Sequence, residues 1–561
     1  GDLTVEGDLL VEGDGALSLD LAVTGDDITF SSTTSNKPVL TLKNDNDDDS
    51  PSILSFFKDN TGSAGDNDNI GQIFWKAYND AGTPELTTYA DMYVLSTDVS
   101  NGTEDASIVL RVMSAGTLTK SLVLDANSRM SLSNNDSNTE NTVFGYKAFT
   151  NNGTVLSNVG ADYNTAIGHY AMGTGTTTDA INNTGVGNRA LEDITSGDGN
   201  VGVGSYACSS ITTGTANVAI GGSDGTTAGA MRLATTVQRC VAIGTGAGAG
   251  ALVGDGTTDE TTADGLIAIG YKAGAAITSG VGNVAIGYQA LKTSSANGDG
   301  NTAVGYKALE DMDADVDGHG YNTAIGYIAC LNLSTGAGNT AIGAGALGTA
   351  AIAGDNNIAV GNNTGRSITS GTDNVIVGKG AGEQLTTAQR TVIIGSLAGD
   401  AAMVTGGSVP SNADGTVAIG YSALGSLTSG GGNIAMGYYA LASATTSAKN
   451  VAIGYQACED MGLGENGNVA IGYAAMDSVA EHADGGSTAD GNIAIGKDSL
   501  KGGALADGGV FSHNIAIGKD ALTSTSSNPQ TGTIAIGGSA LAALTSGAQN
   551  VAIGYNAGLG L

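Results

Sequence analysis

Nothing limits what this chain can fold into more than the return of one glycine. From residue 141 onward it recurs in the setting NVAIG, or a close variant, in 22 copies running from Gly145 to Gly554. The commonest step between copies is 17 residues, the longest is 26, and none is shorter than 17. A floor with excursions above it makes 17 residues the smallest complete unit and the extra residues loops added to it. A short fixed period marks a repeat architecture that grows along one axis. The 561 residues therefore say little about how many globular domains to expect.

Each column of the repeat carries a physical requirement. The residue before the glycine is large and apolar in all 22 copies, the residue two before it is Ala in 17, and the residue four before it is Asn in 17. The residue three after it is Ala in 19, with Asp224, Thr364 and Ser499 as exceptions. Alternate residues of a strand face opposite ways, so Val and Ile of NVAIG share one face and Ala takes the other. Both faces are apolar, which predicts a strand buried on both sides, with the Ala column a close contact between coils or between chains. The glycine supplies a bend or an approach that a Cβ would block. The Asn suits a turn, where its amide can bond backbone or stack on the Asn one coil away. No 3.6-residue periodicity accompanies the repeat, which argues against helices.

Seventeen residues have room for two or three short strands and their turns, one coil of a narrow β-solenoid. The expected fold is all-β: a repetitive β-solenoid or β-roll rod. At ~4.8 Å per coil, 22 coils make a rod on the order of 100 Å long. A thin rod with a second apolar face per strand needs covering, and copies of the same chain are the natural cover. Extra residues fall between the GYxAL segment and the next Asn, as in 251–265, 311–321, 400–415 and 477–491. They are expected to emerge at one edge of the coil.

Three segments follow from this pattern: a β stem over 1–25 (GDLTVEGDLLVEG), an antiparallel β domain over 26–140, and the solenoid over 141–561. The middle segment lacks the repeat and holds Phe56, Phe57, Phe74, Trp75, Tyr78, Tyr89 and Tyr93. Its runs 38–44, 52–59, 70–78, 107–114 and 120–126 alternate like strands between Asp/Asn/Gly turns. The chain opens at Gly1 in mid-pattern, so residues upstream are expected.

Charge narrows the partners. With 55 acids against 21 bases the net charge is −34, which repels phosphates and anionic lipids and argues against nucleic acid. No apolar window approaches the ~18 residues of a membrane span. Cys208, Cys330 and Cys458 share the position where Leu usually follows the Ala of GYxA; with Cys240 they are expected to be small buried residues, not disulfide partners.

Candidate chemistry is sparse. His169, His319, His482 and His513 each stand alone in a repeat, without metal-ligand spacing. GTGAGAG at 244–250 is a repeat copy, not a dinucleotide loop, and no GxSxG is present. Asp313, Asp315 and Asp317, followed by Gly318, resemble the first half of a calcium loop. Ala324 stands where the closing Glu should be, so calcium is the one cofactor the sequence offers, and incompletely. Paired carboxylates of a glycan-cleaving spike are not expected, because the acids sit in loops of unequal length without a shared rib. The Tyr that follows the glycine in 10 of 22 copies is expected to form a packing ladder.

The N-V/T/I-A-I/V-G-Y-x-A-L units resemble those of bacteriophage tail-fibre proteins. They are more distantly similar to the head repeats of trimeric autotransporter adhesins, and GDLTVEGDLLVEG resembles phage-fibre stem segments. The resemblance covers Asn141 to Gly558 and the first 25 residues. It implies a homotrimeric, non-enzymatic virion fibre, extracellular, joined to tail or baseplate proteins and attaching to a host receptor or glycan. The close at LGL, in mid-copy, would suit removal of a C-terminal chaperone. The alternatives are a spacer, capsid fibre or filament subunit, a bacterial adhesin fragment, and a glycan-cleaving tailspike.

Overall fold

In the computed structural model the residues described are 53–56, 68–79, 83, 85–98, 105–114, 117–124, 128–131, 141–151, 154–155, 160–173, 177, 179–250, 263–293, 298–312, 320–348, 350–403, 413–479, 488–503, 509–524 and 529–560. The chain divides into two compact units, Gly1–Leu122 and Val123–Leu561.

The first unit holds a sheet of strands β1 (Asp68–Tyr78), β2 (Leu86–Asp98), β3 (Asp105–Ser114) and β4 (Thr117–Leu124), in that order. β2 pairs antiparallel with both β1 and β3. It was not among the strand-like runs of the sequence, because Thr and Asp interrupt its apolar alternation. Its Asp91 is fully buried. Arg111 Nε donates to Asp91 Oδ1 at 2.9 Å, and the guanidinium lies 4.7 Å over the Tyr93 ring. The sequence runs at 38–44 and 57–59 lie outside the described residues.

In the second unit every copy of the repeat contributes one strand to a single ladder. The first is β6 (Thr142–Tyr146), covered on its outer edge by antiparallel β5 (Ser128–Ser131). The other 21 have three residues each, from Thr165–Ile167 to Val551–Ile553, and pair parallel with no register shift. Each column stands beside itself, as Ile267 beside Val284, Ala268 beside Ala285 and Ile269 beside Ile286, so one coil's requirement is the next coil's requirement.

The sequence leaves room for two or three strands per coil; most coils have one. The rest is turn, because four positions per coil are left-handed. In the coil of Gly287 they are Gly282 (φ +69°), Gly287 (φ +134°), Gln289 (φ 56°) and Leu291 (φ 49°), and Gly280 (φ +101°) adds a fifth there. Non-glycine residues pay on the order of 1 kcal/mol for this region, and such strain persists where the surroundings over-determine it. Here they do. Gly287 N bonds Ile269 O at 2.7 Å and Gln289 N bonds Tyr271 O at 2.9 Å, both in the preceding coil. Val284 N bonds Asn301 O at 2.8 Å and Leu291 N bonds Ala308 O at 2.9 Å, both in the following one.

The repeat glycine answers to a direct steric demand. A Cβ on Gly287 would lie 2.3 Å from the carbonyl oxygen of Gly305, its counterpart one coil on. Successive coils approach too closely there for any side chain.

Burial corrects the expected strand faces. In Val284–Ile286 the central Ala285 is fully buried while Val284 and Ile286 are only half-buried, and the same alternation repeats along the ladder. The Ala column therefore lines the inside of its own coil rather than a contact between coils or chains. The bulky column faces outward. The coil interior is filled by small and medium side chains: Ala285, Ala290 and Leu291, with Ile277 and Leu427 from their coils, are all fully buried in one cluster. One continuous core runs from Val143 to Ala552.

Candidate assembly face and flanking groove

Two rows of side chains, three and one before each glycine, point outward along the ladder. Over 22 coils they hold 44 residues, all Val, Ile or Thr except Phe144 and Met436, and none is charged. Most are half-buried, and Ile434, Met436 and Ile471 are among the more exposed at 37–38%. A charge-free solvent face of this length is unexpected on a chain carrying −34. Its exposed apolar area is on the order of 2,000 Å², against about 300–600 Å² for the largest patch of a typical monomer.

Tyrosines edge this face in two stacks. Tyr271, Tyr288, Tyr306 and Tyr327 stack at centroid distances of 5.3, 5.2 and 5.3 Å. Tyr421, Tyr438, Tyr455 and Tyr473 stack at 5.2 Å throughout. The packing ladder read from the sequence is present, and the rings lie along the coil axis, each on its counterpart.

The buried Asn column is a hydrogen-bond ladder. Asn183 N donates to Asn164 Oδ1 at 2.9 Å, and its Nδ2 reaches the same oxygen at 3.1 Å and Gly197 O at 2.8 Å. Thr391 replaces Asn by donating its Oγ1 to Asn374 Oδ1 at 2.7 Å. Cys240 also stands in this column, its N–H on Asn217 Oδ1 at 3.0 Å. All four cysteines are buried and free, and burial pushes the thiols of Cys240 and Cys330 up to about 12. None is a nucleophile in the folded coil.

Many acids prove to be structural. Asp198, Asp264, Asp299, Asp355 and Asp414, each six before its glycine, accept a backbone N–H from the preceding coil at 2.8–2.9 Å. These caps recur at a fixed offset and were legible in principle. A second set corrects the sequence reading directly: acids five after the glycine do share a rib. Along it Lys292 pairs Glu310 at 3.2 Å, Arg366 pairs Glu383 at 3.6 Å, and Lys501 pairs Asp477 at 3.3 Å. Asp400 lies one coil from Glu383 and Glu459 one coil from Asp477. Burial pushes the carboxyls of Asp400 and Glu459 upward, and neighbouring acids push the same way.

One insertion also departs from the expected place. Ala230, not Asp224, bonds Gly221 O through its N–H, at 3.0 Å, so the extra residues follow Gly222, inside the GYxAL segment. Asp224 instead closes this loop, accepting from Thr226 N at 2.9 Å and from Thr227 N. These bonds hold its carboxyl at about 2.

Of the candidate site residues, Asp313, Asp315 and Asp317 lie outside the described residues, as do His319 and His482. His169 stacks on Tyr146 at 5.3 Å and meets Asn188 at 2.9 Å. Among the described residues no group of three or more His, Cys, Asp or Glu could hold a metal, and no helix is long and apolar enough to cross a membrane.

A polar groove of about 550 Å³ flanks the Tyr421 stack, between Asp400 and Glu459. Comparison of the chain with protein-family models, curated proteins and solved structures returned no match.

Proposed function

We propose that this chain is the shaft subunit of a homotrimeric virion fibre of the phage tail-fibre kind, non-enzymatic, joining tail or baseplate proteins to a host-surface receptor. The observation that carries this reading is the uncovered, charge-free Val/Ile face running the full ladder. Obligate interfaces bury about 2,000–5,000 Å², which is the scale that face offers to copies of itself. The number three comes from the resemblance of the NVAIGYxAL units to phage fibres. An in-register ladder of 22 coils suits a stiff spacer, and the negative surface suits an extracellular particle. Light scattering on the purified chain tests it: a clean monomer at micromolar concentration would end the assembly claim.

A glycan-cleaving spike is the second reading, favoured by the stacked acids Glu383/Asp400 and Glu459/Asp477. Their backbones are one coil step apart, ~4.8 Å, near the ~5–5.5 Å that separates the carboxyls of retaining glycosidases. A depolymerase assay on capsular and lipopolysaccharide glycans decides, with Glu459→Gln as the loss-of-activity control.

A further inference from the structure

The groove between Asp400 and Glu459 is built by a local lapse in the rib five after the glycine. Where neighbouring coils place Glu383, Asp400, Glu459 and Asp477, the two coils between place Gly425 and Ala442. Two small residues in consecutive coils leave a hollow, walled at each end by a carboxylate and on one side by Tyr439. Tyr439 is held edge-on against Tyr438 and Tyr421, at 4.4 and 5.6 Å, so it is a rigid wall.

The lining is rich in hydrogen-bonding groups the protein does not use. Ser422, Ser426 and Ser443 face the hollow, and their hydroxyls bond no other group among the described residues. Asp400 Oδ1 is buried and bonds no group among the described residues. Elsewhere hydroxyls on this side of the coil are spent on the next coil, as Thr369 Oγ1 is on Thr386 O at 3.1 Å.

We propose that this groove binds a neutral or amino oligosaccharide. Carboxylates and hydroxyls suit sugar hydroxyls or an ammonium group, while no Lys or Arg lines the hollow to receive a sialic acid, uronate or phosphate. Asp400 and Glu459 stand three coil steps apart, ~14 Å, room for two to three sugar rings. Acid and base of a glycosidase sit about 5–9.5 Å apart, so this pair grips a chain and does not cut it. The site deepens the attachment reading and rests on it only for its biological purpose.

The test uses the full 561-residue chain on a printed array of neutral, N-acetylated and amino oligosaccharides of two to six units. Sialylated and uronate members and a tryptic peptide library serve as comparisons. Hits are measured again by calorimetry with Ala442→Trp, which fills the hollow, and Asp400→Asn, which keeps its shape. Binding confined to neutral or amino sugars, weakened at least tenfold in both variants with circular dichroism unchanged, is expected. A blank array, binding only to acidic glycans or peptides, or undiminished affinity in both variants overturns the proposal. The fibre reading is judged separately by the mass of the assembly, which none of these outcomes alters.

Discussion

Asn357 and Asn339 hold successive coils together through a single oxygen. Asn339 Oδ1 accepts the backbone N–H of Asn357 at 2.9 Å and its side-chain Nδ2 at 3.0 Å. The same Nδ2 also reaches Gly371 O at 2.8 Å, so one buried side chain ties three coils.

Asn357→Ala should therefore leave the N–H of Asn374 and the carbonyl of Gly371 without partners. At about 1–3 kcal/mol per orphaned group, hydrogen exchange at Val375 and its neighbours should accelerate by tenfold or more. Asn357→Thr should cost less, since a Thr hydroxyl can keep the bond to the preceding coil, as Thr391 Oγ1 does to Asn374 Oδ1. Equal effects of the two substitutions would refute the ladder account.

Gly287→Ala places a Cβ 2.3 Å from the Gly305 oxygen, at a φ of +134°. Backbone strain and overpacking together should cost about 2–5 kcal/mol. The cost should appear as local opening of the Gly270, Gly287 and Gly305 coils in exchange experiments, while coils beyond Gly437 stay protected. Global unfolding in one step would contradict nearest-neighbour coupling.

Ile328 is the reverse case, a β-branched residue at φ 49°. Asn tolerates this conformation far better, so Ile328→Asn should stabilise its coil by about 1 kcal/mol. The readout is slower amide exchange around Tyr327 and Cys330.

The outward face predicts an assembly defect without a folding defect. Ile286→Lys with Ile419→Lys changes two half-exposed positions, where a surface substitution costs a coil within about 0.5 kcal/mol. The mass measured by light scattering should fall to that of one chain with the circular dichroism spectrum intact. Ser443→Lys, on the groove side, should leave the mass unchanged.

Acid should first help this protein and then harm it. Asp400, Glu459 and Asp477 have carboxyls raised by burial. A raised acid favours the folded state when protonated, fully below its unfolded value near 4 and less as pH climbs through the folded one. Asp224, held at about 2 by loop N–H groups, acts oppositely in the solenoid: its contribution is present above 3.8 and lost as pH falls, as is that of Asp91, lowered by Arg111, in the first unit. The solenoid Tm should rise from pH 7 toward pH 4 and drop toward pH 2. A steady fall from pH 7 would show that the rib does not control stability.

Much of the solenoid was legible in the residues. The 17-residue floor and the glycine state requirements that hold in every coil, and the Asn column one that holds in 17 of 22, because an in-register stack multiplies any local need by the number of coils. What escaped was orientation and offset. Asp224 read as an exception to the Ala column because a six-residue insertion shifted the true counterpart to Ala230. The acids five after the glycine form a rib at a fixed offset that the residues already carried; what the structure added is that this offset places them side by side, as the Lys292–Glu310 and Arg366–Glu383 pairs show.

By itself, then, the sequence determined that there would be coils, how long each is, and where a Cβ or a polar group could not be spared. Only the tertiary structure decided which face of the strand is inside. Period-two alternation separates Ala from Val and Ile but is silent on direction. Size alone did not make the choice, because the same inward column takes Ile376 and Ile393 fully buried; it falls to the turns after the strand, which close the coil over the side that carries Ala285. The larger side chains are left outside, where they become the surface this chain presents.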